Sequence, residues 1–335
     1  MGGVKRTVRR GVESISSRTR SRRRAVRREI GGRPFLGLRD FRRAGNLRAP
    51  RMAVDRAQRI RREIKYLVSE HVALGVRAFV SCYLEPDEFA RGKVDNSYPV
   101  HSLYLDSNRL HTYWATTSGD RNRFKLRIRY YDDDPASPVF CEIKRRINEG
   151  VVKQRARVRR DAIGPLLIGE APRREHLHSW KPQYWADLLD FWELVERFQA
   201  APRLHNAYMR EAYVNAGKAS VRVTIDRRVI VEPEFGAELL TTLERPTQIF
   251  TDYVILELKF TERMPTWMVE MVRGFDLKQT GAAKYVTGVE VLGHNNVSRR
   301  RTGFEWGSAV VSTATSAPWL DASTALSRSL GPGHK

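Results

Sequence analysis

The residues with the most to say about chemistry are cations that recur at every second position. In Arg123-Phe124-Lys125-Leu126-Arg127-Ile128-Arg129-Tyr130 the odd places are all basic and the even places all apolar. Val139 to Arg146 sets Glu142, Lys144 and Arg146 against Val139, Cys141 and Ile143. Lys153, Arg155 and Arg157 alternate in the same way within Val151 to Val158. Further along, Arg222, Thr224 and Asp226 oppose Val221, Val223 and Ile225, and Glu257 and Lys259 oppose Val254, Leu256, Leu258 and Phe260. Near the start, Glu63 and Lys65 face away from Ile64, Tyr66 and Val68. A guanidinium stays charged in any environment and grips phosphate oxygens with a fork of donors, whereas lysine acts as a point charge. The chemistry open to such a set is the capture and positioning of a phosphate-rich anion. No nucleophilic side chain stands out.

Period-two alternation is the signature of strands whose two faces differ. One such strand alone reads as part of an antiparallel sheet with a core face and a wet face. Together they resist that reading, because like charges opposite each other on neighbouring strands destabilise a sheet. We therefore expect the charged faces to turn towards the axis of a closed antiparallel β-barrel, with amphipathic helices covering the apolar faces outside. Excluding water from such a tunnel lowers the effective dielectric and strengthens each cation–phosphate contact. Acids take few of these inward places: Glu63, Asp106, Glu142, Asp226 and Glu257. They are either internal salt-bridge partners or ligands for Mg²⁺ or Mn²⁺, which combine one or two carboxylates with substrate phosphates. Glu257 is the first choice as ligand.

Helices are expected where Ser69 caps a run to about Tyr83, and at Trp185 to Phe198. A third is expected at Pro265 to Phe275, with Pro in its first turn. A short strand is expected at Ser102 to Asp106. His176-Leu177-His178 reads as a surface loop, and Cys82 and Cys141 as small core residues, with no disulfide framework.

The net charge of +22 is unevenly spread. Residues 1–60 hold 19 Arg and Lys against four acids, so +15 of it lies there. We read 1–54 as a basic, disordered N-terminal tail that contacts a polyanion (nucleic acid, anionic membrane or polyphosphate), 55–298 as one domain, and 299–335 as a flexible C-terminal tail. No stretch approaches the ~20 apolar residues of a membrane-spanning helix, and no secretory signal follows the basic start. The expected location is cytoplasmic.

Short motifs now fall into an ordered series. It runs through Glu63-Ile64-Lys65-Tyr66, Ser102-Leu103-Tyr104-Leu105-Asp106, Leu126-Arg127-Ile128-Arg129-Tyr130, Glu142-Ile143-Lys144 and Lys153-Gln154-Arg155. It continues with Tyr208-Met209-Arg210, Val221 to Asp226, Leu256-Glu257-Leu258-Lys259 and Lys284-Tyr285-Val286-Thr287-Gly288. The series resembles the VTC (vacuolar transporter chaperone) polyphosphate polymerase domain, in family order over nearly all of 60–290. That family belongs to the triphosphate tunnel metalloenzymes. The resemblance implies an α+β fold built on a closed antiparallel β-barrel of about eight strands, the triphosphate tunnel, with helices packed outside. It also implies an ATP-dependent polymerase that moves the γ-phosphoryl group onto a growing polyphosphate chain, with ATP and polyphosphate as partners and Mn²⁺ or Mg²⁺ as cofactor. Carried over by motif, Lys65, Arg127, Arg129, Lys144 and Arg210 would be catalytic and Glu257 the metal ligand. Arg155 and Lys284 would grip phosphates, joined on the same faces by Lys153, Arg222 and Lys259.

Three departures bear on the reading. Arg61 stands where the wider superfamily often carries the first of two glutamates, which disfavours a two-metal hydrolase of the thiamine-triphosphatase type. Gly281 stands where eukaryotic members carry a second lysine, with Lys278 nearby. The membrane helices and phosphate-sensing domain of eukaryotic members have no counterpart, so coupling to translocation is expected to need another protein. Rival readings are a triphosphate hydrolase and a non-catalytic polyphosphate- or polyanion-binding protein.

Overall fold

The alternating segments all become strands, and most extend beyond their expected ends. The computed structural model describes residues 61–148, 150–215 and 221–298. The expected tails at 1–54 and 299–335 lie outside the described residues. Strand β1 (Arg61–Val68) leads through β2 (Glu85–Pro86) to β3 (Ser97–Asp106), β4 (Asn122–Tyr130), β5 (Val139–Ile147) and β6 (Gly150–Val158). Then come β7 (Ala201–Val214), β8 (Val221–Pro233), β9 (Thr247–Gln248) and β10 (Val254–Thr261). They form one sheet in the order β1-β10-β8-β7-β3-β4-β5-β6, with β2 on β7 and β9 on β8. Every ladder is antiparallel.

The expected closed barrel is not what forms. The ladder path is open, with β1 at one end and β6 at the other, and no pairing joins the two. Alternation fixes which residues share a face, and an open sheet satisfies it as well as a closed one. The sheet is nonetheless curled. Lys144 on β5 reaches Glu63 on β1 at 2.8 Å, although six ladders separate those strands along the path. The charged face is therefore concave.

Helices cover the opposite, apolar face. Leu126, Ile128, Cys141, Ile143, Ala156 and Val158 pack with Leu188, Phe191 and Val195 of a helix at Pro182–Phe198. Tyr66, Val223, Ile225, Leu256 and Leu258 pack with Ala73, Val76 and Val80 of Glu70–Val80, and with Met268 and Met271 of Thr266–Gly274. Ser69 caps the first of these as expected, its hydroxyl accepting from the Val72 N–H. In chain order the described helices are α1 (Glu70–Val80), α2 (His111–Thr117), α3 (Ile163–Leu167), α4 (Pro182–Phe198), α5 (Thr266–Gly274), α6 (Lys284–Leu292) and α7 (His294–Ser298).

Not every helix is outside. Helix α6 lies against one end of the charged face, where Tyr285 stacks on Tyr104 with ring centres 5.0 Å apart. Gly288 permits this approach, since a Cβ there would sit 2.8 Å from Leu204 and 3.1 Å from Val231. Two further expectations change. Cys141 is buried, but Cys82 is exposed just past the end of α1. His176 is buried, its Nδ1 accepting from the Arg173 N–H at 3.2 Å.

Candidate functional site

Ladder register sets the charged residues side by side. Tyr104, Arg127, Glu142 and Arg155 form one row across β3 to β6. Ser102, Arg129, Phe140 and Arg157 form the next row, and Lys125, Lys144 and Lys153 the one on the other side. On the far limb of the sheet, Lys65 opposes Glu257, which opposes Thr224, while Arg210 opposes Asp226.

The acids on this face act as hubs for cations. Glu142 contacts Arg127 and Lys153 at 2.7 Å and Arg155 at 3.2 Å. Burial alone would raise its carboxyl, but Arg127, Arg129 and Lys153 hold it well below the usual range. Asp226, fully buried, accepts two bonds from Arg210 (2.6 and 2.8 Å) and one from Lys284 (2.7 Å). Its carboxyl is depressed in the same way, against burial, by Arg210 and Lys284. Glu257 meets Lys259 at 2.5 Å, Lys65 at 3.3 Å and Arg210 at 4.0 Å. Glu63 takes Lys144 at 2.8 Å and shares Lys65 with Glu257, at 3.5 Å. These pairs hold the long cationic side chains in place before any ligand arrives.

Arg129, Lys125 and Arg157 on this face make no ion pair among the described residues, and the Nε of Arg157 is buried without a partner. Arg129 is 6% exposed, and its partners are only the hydroxyls of Tyr208 (3.0 Å) and Ser102 (3.5 Å). Its Nε, fully buried, has no partner at all. Lys125 lies 5.9 Å from the centre of the Tyr285 ring and makes no ion pair. A buried or half-buried charge with no directly paired carboxylate is costly, Arg129 having Glu142 only at longer range, so these positions favour an anion from outside.

The expected site residues thus fall on one concave face, with two exceptions. Arg222 turns to the edge and pairs with Asp87 at 2.7 Å, also donating to the Tyr98 hydroxyl. Asp106, placed among the inward acids by the sequence, serves the local fold instead. Its carboxylate accepts from the N–H groups of Ser107, Thr112 and Tyr113 and from the hydroxyls of Thr112 and Tyr285. Those bonds fix the start of α2 and dock α6. Lys278, near Gly281, is 85% exposed at its side chain and pairs with Asp276. Sequence reading passed over Tyr104, Tyr208, Ser102 and Asp87. Tyr208 was within reach, since it stands two residues from Arg210 on the same strand.

The sequence model of the VTC domain matches residues 60–293. The chain belongs to the VTC domain family. A search among curated proteins finds no match. Among solved structures, the chain is similar to the PH1819 protein from Pyrococcus horikoshii OT3 at 12% identity and a TM-score of 0.34. That match covers 68% of this chain and 96% of the other. Membership of the VTC family supports a polyphosphate-related role and a transferase in general. Among the described residues no helix is long and apolar enough to cross a membrane.

The VTC face carries a pH signature. Burial pushes the Lys125 ammonium down to about 8, with Lys65 and Lys144 adding repulsion that Tyr104 only partly offsets. Burial would raise the Tyr104 phenol, but Arg127, Lys125 and Arg129 outweigh it and bring it down to about 8. Both groups make the face less positive as pH rises through about 8. In that window the unfolded chain holds more protons than the folded one, so this pair makes the ligand-free fold more stable as pH rises. Anion affinity changes in the opposite sense. The melting-temperature gain given by inorganic tripolyphosphate is therefore expected to shrink between about pH 7 and about pH 9. Differential scanning fluorimetry across that range checks it, and a gain that grows with pH would contradict it.

Proposed function

We propose that this VTC domain is an ATP-dependent polyphosphate polymerase working on the concave cationic face. The terminal oxygen of a phosphate chain, already ionised at neutral pH, attacks the γ-phosphorus of ATP. A new P–O–P bond forms, the bond from the γ-phosphorus to the β,γ-bridging oxygen breaks, and ADP leaves with that electron pair. The observation that carries the proposal is Arg129: a guanidinium buried two places from Arg127 on the same strand face, held by hydroxyls and making no ion pair.

In this reading Arg127, Arg129 and Lys144 hold the triphosphate. Lys65 and Arg210 stabilise charge on the transferring group, which is the main task left to protein in phosphoryl transfer. Lys153, Arg155, Lys259 and Lys284 hold further phosphates of the chain, with Arg222 at the edge. Among the described residues no three His, Cys, Asp or Glu side chains converge as a metal cage. The donors fit an ion that brings phosphate oxygens with it, since Mg²⁺ commonly takes only one or two carboxylates from protein. Glu257, with Glu63 sharing its lysine, would hold Mn²⁺ or Mg²⁺, which neutralises charge on phosphate oxygens when bound.

The test is to incubate the purified protein with ATP and Mn²⁺ and resolve the products on a gel. A ladder of phosphate chains together with ADP is expected. Free phosphate without chains would replace the polymerase reading with a triphosphate hydrolase. Binding without nucleotide turnover would leave a non-catalytic polyphosphate binder.

A further inference from the structure

On the apolar side of the sheet, one residue along from the Ser102–Arg129 pair, lies a buried polar cluster that phosphate chemistry does not use. His101 on β3 and His205 on β7 are 0% and 4% exposed, and Nδ1 of the first lies 3.0 Å from Nε2 of the second. The hydroxyl of Tyr130 on β4 is 3.0 Å from the same Nε2 and donates to the Leu240 carbonyl at 2.8 Å. Leu240 belongs to the strap, residues 234–246, that joins β8 to β9. Neighbouring bonds tie the same strap down. Arg160 donates to the Leu239 carbonyl at 2.9 Å, and Asp133 accepts from the Thr241 N–H at 2.7 Å and from its hydroxyl. Leu239 is held at φ 57°, a left-handed conformation that is costly for leucine, so the strap keeps its shape through these ties.

Counting protons fixes the state of the cluster. Tyr130 has one proton and gives it to Leu240, so its oxygen accepts from an N–H at Nε2 of His205. Nδ1 of His101 faces that same N–H and is therefore an acceptor, which leaves the His101 proton on Nε2. That nitrogen is buried and has no partner among the described residues. Both rings are neutral, and a further proton has no comfortable place. On Nδ1 of His101 it would oppose the His205 N–H. Shifting the His205 proton aside turns Nε2 into an acceptor, and Tyr130 must then point its proton at the ring and release Leu240. On Nδ1 of His205 it would bury a cation that makes no ion pair among the described residues.

We propose that His101, His205 and Tyr130 form an acid-opened latch on the strap. With both imidazoles neutral Tyr130 holds Leu240; when His101 takes a proton that bond is lost and the strap lifts from β4. The surrounding charges do not rescue the imidazolium. Asp133 is engaged by Thr241, Glu232, opposite His205, by the Arg245 N–H, and Glu234, near Tyr130, by the Gly236 N–H. The cations Arg160 and Arg228 stand on the same side, Arg228 lining a cavity of about 40 Å³ together with His101. Burial takes the His101 imidazolium down to about 4, Asp133 offsetting only part of it and Arg160 adding repulsion. Burial and the neighbouring His101 take His205 down to about 3. Both lie below the ordinary 6.5, so the latch is fully closed above about 6.5 and weakens as pH falls towards about 4.

Hydrogen exchange of the strap amides in the full chain, each rate divided by the intrinsic rate at that pH, reads the latch directly. Protection is expected to fall about 20-fold between pH 7 and pH 5 in the wild type, from His101 alone. The double variant His101→Asn, His205→Gln keeps hydrogen-bonding amides but cannot titrate, and its protection is expected to stay level. An equal fall in the variant, or no fall in the wild type, would overturn the latch. Carbon-13 NMR of the histidine rings in the wild type decides the matter even if the double variant fails to fold. Both rings are expected to stay neutral while the strap is protected, and a ring that titrates near pH 6.5 under a protected strap would overturn the proposal.

Discussion

Replacing Arg129 by Met lowers the rate of chain synthesis by ~10²–10³-fold while leaving the fold at least as stable as before. The two halves of that expectation have one cause. In the ligand-free protein Arg129 is a buried guanidinium satisfied only by two hydroxyls, with its Nε unpaired. Burial opposes the charge and Arg127 adds repulsion of like sign, while Tyr208 and the nearby Glu142 offset both and leave the guanidinium pKa raised. An apolar side chain of similar length removes that cost, and such exchanges of buried charge are often neutral or stabilising. With a triphosphate bound, the same guanidinium neutralises phosphate oxygens in a site of low dielectric, and there its loss is felt in full. Steady-state kinetics and thermal unfolding of the one variant check both halves. A variant that loses stability and keeps its rate would show that Arg129 is structural.

Replacing Asp226 by Asn is expected to act the other way round, costing ~3–5 kcal/mol of stability. Asp226 is the sole close carboxylate for Lys284 among the described residues and the bidentate partner of Arg210. Asn keeps the shape but leaves Lys284 without a carboxylate and Arg210 with Glu257 at 4.0 Å in place of its bidentate partner. For a domain of this size each kcal/mol moves the melting temperature by ~2–4 °C, so a fall of about 10 °C is expected. Tripolyphosphate should restore part of it, because a bound anion stabilises by mass action and meets the orphaned cations directly. An unchanged melting temperature in the variant would mean that Arg210 and Lys284 do not depend on Asp226.

The same residues show what the sequence made legible. Alternation in β4, β5, β6, β8 and β10 put Arg127, Arg129, Lys144, Arg155 and Glu257 on one face because each of those strands buries one side in apolar contacts. Strand β7 escaped notice beyond its Tyr208-Met209-Arg210 motif. From Pro202 to Tyr208 it is buried on both sides, so His205, Asn206 and Ala207 give no alternating pattern. Helix α6 was hidden for a related reason: Gly288 interrupts its helical pattern, and only the contact with Leu204 and Val231 explains the glycine. Closure was overread. Side-chain period says which residues face inward, whereas closure depends on hydrogen bonds between the first and last strands of the path, which no local pattern encodes. Asp106 shared the parity of the inward residues but ends its strand, where the N–H groups of the following helix claim its carboxylate.

The claim on which the rest depends is that the concave face, and not the surface charge of the chain, binds the phosphate substrate. Its most direct test is a crystal structure of the protein grown with tripolyphosphate. Phosphate density is expected in contact with Arg129 and bridging towards Arg210 and Lys144. Density confined to outward-facing cations such as Lys278, with Arg129 left bare, would contradict it.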